Sequence, residues 1–235
     1  FSWRFTFGII GLIGLLTLIA ILIWLPDTNK EASKNSRSEL EIFKNKQVWL
    51  ILFIIMIGTG GLFTWISYIA PLMTEVSHFS ADKMFIIMVI AGLGMVAGNY
   101  AGGKLADRFQ PENVCAALLL AMTIVLLAIS FFSHIQTVSL VLTFLAGALS
   151  IALAAPIQIL MIRTAYKAEM LGASLTQAAF NIGNSLGAFF GGLPIAAGYG
   201  FQSPVLVGSA MAITGLLITL FFIQTNKNRT FNTMS

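Results

Sequence analysis

The side chains with most to offer inside the apolar stretches of this 235-residue chain are amides and hydroxyls. Gln177, Asn181 and Asn184, preceded by Ser174 and followed by Ala188, recur at three- and four-residue intervals, which on a helix lines them along one face. Gln158 stands two residues after Pro156 in another apolar run, and Thr64 and Tyr68 fall at helical spacing with Gly60, Ser67 and Pro71 in a third. A polar group buried in hydrocarbon without a partner costs on the order of several kcal/mol, so these groups need either protein or water beside them. Two readings fit the spacing: the groups line a wet cavity and hold a polar solute, or they bond across to neighbouring helices. Neither is catalysis. The apolar runs contain no acid, His or Lys, so no general acid–base pair and no metal cluster can form there. An enzyme is not expected, nor is a metal or any other cofactor.

A second set is charged. Gly103-Lys104-Leu105-Ala106-Asp107-Arg108 closes an apolar run. An Asp at a helix end can accept N–H bonds from the N-terminus of a neighbouring helix, and Arg108 can pair with carboxylates or carbonyls. Contacts of that kind can latch one conformation and release in another, which makes Asp107 and Arg108 candidates for gating, with Gly103 at the head of the same motif. The plainer reading is that Lys104 and Arg108 only fix the topology.

Seven apolar runs must position these residues: 5–25, 48–72, 84–102, 113–132, 138–162, 173–197 and 204–223. About 20 helical residues cross a bilayer core, and each run is long enough or nearly so. Apolar residues make up 57% of the chain and charged residues 9%. A soluble domain carries about 25% charged residues, so this chain takes lipid as its solvent. Barrel strands would alternate in polarity over about 10 residues, a pattern absent here, so the fold class is all-α and polytopic. The basic residues are scattered through loops and form no nucleic-acid-binding stripe. The first run is too long for a signal peptide and no small-residue cleavage site follows it. The lone Cys115 excludes an internal disulfide. Because the chain opens on Phe1, further residues upstream are expected.

Lys and Arg divide by side. Eleven (Lys30, Lys34, Arg37, Lys44, Lys46, Lys104, Arg108, Arg163, Lys167, Lys227 and Arg229) fall on one side and two, Arg4 and Lys83, on the other. The positive-inside rule makes the first side cytoplasmic, so the polar segment 27–47 and the C-terminus are expected inside, and His78 and His134 outside. The segment 27–47 is expected to be a linker with a short surface helix near 39–43, or a disordered loop.

Gly94, Gly98 and Gly102 in the third run, and Gly183, Gly187 and Gly191 in the sixth, are four-residue ladders that cut a packing groove down a helix face. These are the middle runs of two triplets of opposite direction. Such matched triplets suggest an inverted 3+3 repeat.

At this point the chain resembles the major facilitator superfamily, in its bacterial drug or sugar efflux branch, of arabinose-efflux-permease-like, drug:proton antiporter type. The likeness rests on Ser2-Trp3-Arg4-Phe5-Thr6-Phe7, on Tyr68-Ile69-Ala70-Pro71 followed by Thr74-Glu75-Val76, on Gly103 to Arg108, and on Gln177-Ala178-Ala179-Phe180-Asn181-Ile182-Gly183-Asn184. Phe109-Gln110-Pro111-Glu112 departs from the basic continuation of the family's loop motif. The resemblance implies a twelve-helix parent in the inner (plasma) membrane. Residues 1–26 would then be the last helix of an N-terminal half missing here, 27–47 the cytoplasmic linker, 48–225 the complete six-helix C-terminal half, and 226–235 a cytoplasmic tail. The partners it implies are the lipid bilayer, the other half and a small-molecule substrate, moved by alternating access and by proton antiport. With no ionisable residue deep in any run, coupling groups would lie in the other half, and a passive facilitator is the alternative. A seven-helix receptor shares the topology, and Asp107-Arg108-Phe109 even mimics an ionic-lock triplet, but one Cys cannot make the usual external bridge and the last run lacks a Pro-x-x-Tyr turn.

Overall fold

The computed structural model describes the backbone of residues 3–24, 40–166 and 168–232. Over these residues the chain is helical and contains no strand. Seven helical rods match the seven apolar runs. They are α1 (Trp3–Trp24), α2 (Lys46–Ser67), α3 (Met84–Arg108), α4 (Pro111–Phe132), α5 (Gln136–Thr164), α6 (Glu169–Ala196) and α7 (Ser203–Asn232). Among the described residues, α2, α3, α4, α5 and α7 each hold a stretch long and apolar enough to cross a membrane, and α1 adds the shorter apolar stretch Gly8–Trp24. The sixth apolar run is a 28-residue helix, yet it is not among those five. Its glycines, serines and amides dilute its hydropathy.

The chain divides into two compact units, Phe1–Arg37 and Ser38–Ser235. In the first, α1 is apolar around its whole circumference, the pattern of a helix in lipid. Thr17 in its middle satisfies its hydroxyl by donating to the Ile13 carbonyl at 2.8 Å. Most of the expected linker, residues 27–39, lies outside the described residues. Its end, Leu40–Lys44, is a 3-10 helix. Asn45 then caps α2, accepting from the Gln47 N–H. At the other end, α7 continues through the expected tail as far as Asn232.

The second unit is built on two glycine contacts. The ladder of α3 lies on α5: Gly94 against Phe144, Gly98 against Ala148 and Gly102 against Ala152. The ladder of α6 lies on α2: Gly183 against Met56, Gly187 against Gly60 and Gly191 against Thr64 and Tyr68. Each pair advances in the same direction along both helices, so both pairs are parallel. The middle helix of each triplet therefore packs on the first helix of the other, and the third helices, α4 and α7, pack on each other. That exchange of partners is what a repeat of opposite topology requires. A separate antiparallel contact brings Gly58 and Gly61 of α2 onto Gly215 and Gly208 of α7. Trp65 of α2, Leu119, Met122 and Leu126 of α4 and Phe222 of α7 fill the space between.

Two helices are broken, for identifiable reasons. Pro156 has no N–H to give the Ala152 carbonyl, and α5 is interrupted at Leu153. The carbonyl so released lies against Gly102, where the missing side chain allows a close Cα–H contact. α2 carries a π segment, Ile54–Thr59, and ends at Tyr68, whose φ of −118° and ψ of 18° leave the helical region. A second π segment, Leu72–Val76, follows Pro71.

Candidate functional site

The polar residues of α6 are placed by its glycine groove. Gly172, Thr176, Ala179, Gly183, Gly187 and Gly191 are buried, and their face is spent on packing. Ser174, Gln177, Asn181, Asn184 and Ser185 are turned out of the unit and exposed. The two hydroxyls close on their own helix, Ser174 donating to the Met170 carbonyl at 2.9 Å and Ser185 to the Asn181 carbonyl at 3.0 Å. The side-chain amides of Gln177, Asn181 and Asn184 form no hydrogen bond with any described residue. The half-buried Gln158 of α5 likewise makes none. Three donor–acceptor groups on successive turns of one helix can recognise neutral polar groups and cannot move protons.

The residues of α2 differ in burial. Thr64 is fully buried, its hydroxyl donates to the Gly61 carbonyl at 2.6 Å, and Gly208 of α7 lies against it. Its surroundings are those of a packing residue. Gly60 is buried against Gly183 and Met211, whereas Ser67 is exposed. Tyr68 is half-buried. Its phenol donates to the Ala188 carbonyl at 2.8 Å and its ring edge lies over Gly191 and Gly192. Spacing puts Thr64 and Tyr68 on one face, and both lie against Gly191 of α6; Thr64 is in addition closed off by Gly208 of α7, whereas Tyr68 stays half-buried.

The charged motif sits at the end of α3. Asp107 and Arg108 are exposed, Gly103 has open space where a Cβ would be, and Phe109 ends the helix in an extended conformation. Neither charge forms an ion pair with a described residue. Arg108 is well placed at the negative end of the helix dipole and Asp107 is not, so the carboxylate has reason to seek a partner elsewhere. Lys104 lies 4.7 Å above the Tyr100 ring. Arg108, Leu105, Phe109, Val114, Ala117 and Leu118 line a wedge of about 560 Å³ between α3 and α4.

Several connections escape sequence reasoning because nothing local announces them. Ser77 donates to the Ser133 carbonyl at 2.6 Å and meets the Ser139 hydroxyl at 3.0 Å, while Gln136 donates to the His78 carbonyl at 3.0 Å. This ties the α2–α3 connection to the α4–α5 connection and holds His78 at a φ of 54°. At the opposite end, Asn45 donates to the Thr164 carbonyl, and Gln47 bonds Asn226.

Comparison with known proteins agrees with this architecture. The family model described as Major Facilitator Superfamily matches residues 1–176. "Putative transporter AraJ" of Escherichia coli (strain K12) is 34% identical over 222 residues, which cover 94% of this chain and 56% of that protein. "Inner membrane transport protein YdhP" of the same strain is 32% identical, over 96% of this chain and 57% of that protein. "Probable sugar efflux transporter" of Helicobacter pylori (strain G27) is 29% identical, over 95% and 58%. The chain thus spans about half the length of the curated relatives it matches. No solved structure matches it.

Proposed function

The chain belongs to the Major Facilitator Superfamily, and on that premise we propose that it forms the C-terminal part of a multi-pass transporter that exports small organic solutes of the drug or sugar type. Residues 48–225 serve as the six-helix C-terminal half, and residues 1–26 as a helix of the N-terminal half, joined by the linker 27–47. The protein sits in the bacterial inner membrane with linker and C-terminus cytoplasmic. Alternating access comes from rocking this half against the other around a site at the interface.

The observation that carries the reading is the α6 stripe. Gln177, Asn181 and Asn184 point out of a half whose glycine groove already serves its own packing. Amides so exposed belong in water rather than in lipid, and a central cavity between two halves supplies it. Gln158 and Tyr68 extend the polar lining, and Gly103, Asp107 and Arg108 act at the cytoplasmic gate. A relative named as a sugar efflux transporter supports a polar organic substrate. With no acid, His, Lys or Arg within these spans, proton coupling is a task for residues outside this chain. The same observation favours a second reading, passive facilitated transport.

The test is solute flux in proteoliposomes across a panel of sugars and cationic drugs, with and without an imposed pH gradient. The whole protein should move one class, the Q177A/N181A double variant should lose most of that flux, and vesicles holding only these 235 residues should be silent. Flux indifferent to both amides, or catalysed by this chain alone, refutes the assignment; flux indifferent to the pH gradient selects the passive reading.

A further inference from the structure

Where the chain enters α2, three aromatic rings form a ladder on one side. Trp49 and Phe53 are one helical turn apart, and Phe43 comes from the 3-10 helix that precedes the Asn45 cap. Ring centroids are 6.2 Å apart between Phe43 and Trp49 and 6.3 Å between Trp49 and Phe53. The Trp49 indole N–H donates to the Phe43 carbonyl at 2.8 Å, which pins the end of the linker to α2 and leaves the ladder without a free donor. All three rings remain about two-fifths exposed, at 39%, 42% and 42%.

The other side of the same segment is occupied. Ile42 is buried and reaches Gly172 of α6, Asn45 donates to the Thr164 carbonyl of α5, and Val48, Ile51 and Leu52 are in the core. The ladder therefore faces away from the helices of this unit. Lys44 and Lys46 stand at its end, and the Lys44 side chain is 80% exposed, with a surface pair to Glu41 at 3.7 Å that leaves it free to move. Apolar rings with no unmet polar group, next to lysines on flexible stems, are chemically matched to the boundary between acyl chains and anionic headgroups.

We propose that Phe43, Trp49 and Phe53 seat in the headgroup boundary of the bilayer with Lys44 and Lys46 on lipid phosphates, so that the end of the linker is strapped to the membrane surface. The strap fixes the depth of α2 and the point from which the linker departs. That the leaflet is cytoplasmic rests on the orientation proposed above; the lipid contact itself does not.

The whole protein, labelled with 5-fluorotryptophan and reconstituted in nanodiscs, tests this by 19F NMR. The resonance absent from W49F, or from W49Y if W49F does not fold, is that of Trp49. A nitroxide on lipid headgroups should broaden it beyond detection, a soluble gadolinium chelate should not, and K44Q/K46Q should weaken the broadening in bilayers rich in anionic lipid and do so less once that lipid is diluted. A Trp49 resonance untouched by the lipid nitroxide overturns the proposal, because it places the ladder under another part of the protein. One broadened mainly by the soluble chelate overturns it too, because it places the segment in water. In sealed vesicles, selective reduction of the outer-leaflet nitroxide reports the leaflet. Contact with the opposite leaflet would refute the orientation and leave the strap standing.

Discussion

Gly98 of α3 lies so close to Ala148 of α5 that a methyl group on Gly98 would come within 2.6 Å of the Ala148 Cα and closer still to its carbonyl oxygen. The obstruction is backbone, which cannot rotate aside as a side chain can. G98A must therefore push two parallel helices apart, and overpacking of that kind costs about 1–3 kcal/mol. G103A, five residues on, meets open space and is expected to change stability by less than about 0.5 kcal/mol. Unfolding in mixed detergent micelles, followed by tryptophan fluorescence, gives both numbers. Equal stability of G98A and G103A would mean that the α3–α5 contact is looser than described.

Such ladders are legible in a sequence because four-residue spacing suffices to define a groove. The partner is not legible. Nothing in Gly183, Gly187 and Gly191 says that α2 rather than a neighbour in sequence fills the groove, since that depends on contacts some 127 positions apart, as with Met56 and Gly183. The α6 amide stripe is readable for the same reason as the groove beside it. The Thr64–Tyr68 face is readable too, since both residues reach Gly191; what spacing does not show is that Gly208 of α7 also closes over Thr64. Pro156 announces a freed carbonyl, and only the fold shows that Gly102 is where it goes.

Tyr68 offers a separable pair of contacts. Y68F keeps the ring over Gly191 and removes only the bond to the Ala188 carbonyl, a loss of about 1 kcal/mol. G192A keeps the phenol but puts a methyl 2.5 Å from its oxygen, so the ring must move. Stability should fall in both variants, and combining them should cost less than the sum, because the displaced phenol of G192A has already lost its acceptor. Full additivity in the same micellar unfolding assay would show that the phenol does not depend on the Gly192 surface.

Orientation is open to direct labelling. With eleven Lys and Arg on one side and two on the other, a tag after Ser235 is expected to be protected in intact cells, and a label beside His78 or His134 to be reachable. Gln136 bonding to the His78 carbonyl places these two connections at the same end of the unit, so both labels must agree. A Ser235 tag accessible from outside overturns the positive-inside assignment. Labels that disagree with each other overturn the fold.

The amide stripe gives the sharpest test of the site. Gln177 and Asn181 are one turn apart on the exposed side of α6, and in the whole protein three surroundings could meet them: lipid, packed protein or a wet cavity. Lipid is disfavoured because each unpaired amide there costs on the order of several kcal/mol. Packed protein and a cavity differ in whether small hydrophilic reagents can enter. Cys115 is fully buried, so replacing it with Ala gives a silent background with little change at the surface. On that background Q177C and N181C are expected to react with charged methanethiosulfonates, faster in the conformation open to the reagent, and a transported solute should slow both reactions several-fold. Cysteines at Ala179 or Thr176, which are buried on the groove side of the same helix, should stay unreactive throughout. If Q177C and N181C are as inert as the groove positions in every conformation, the stripe is packed protein and the substrate face lies elsewhere.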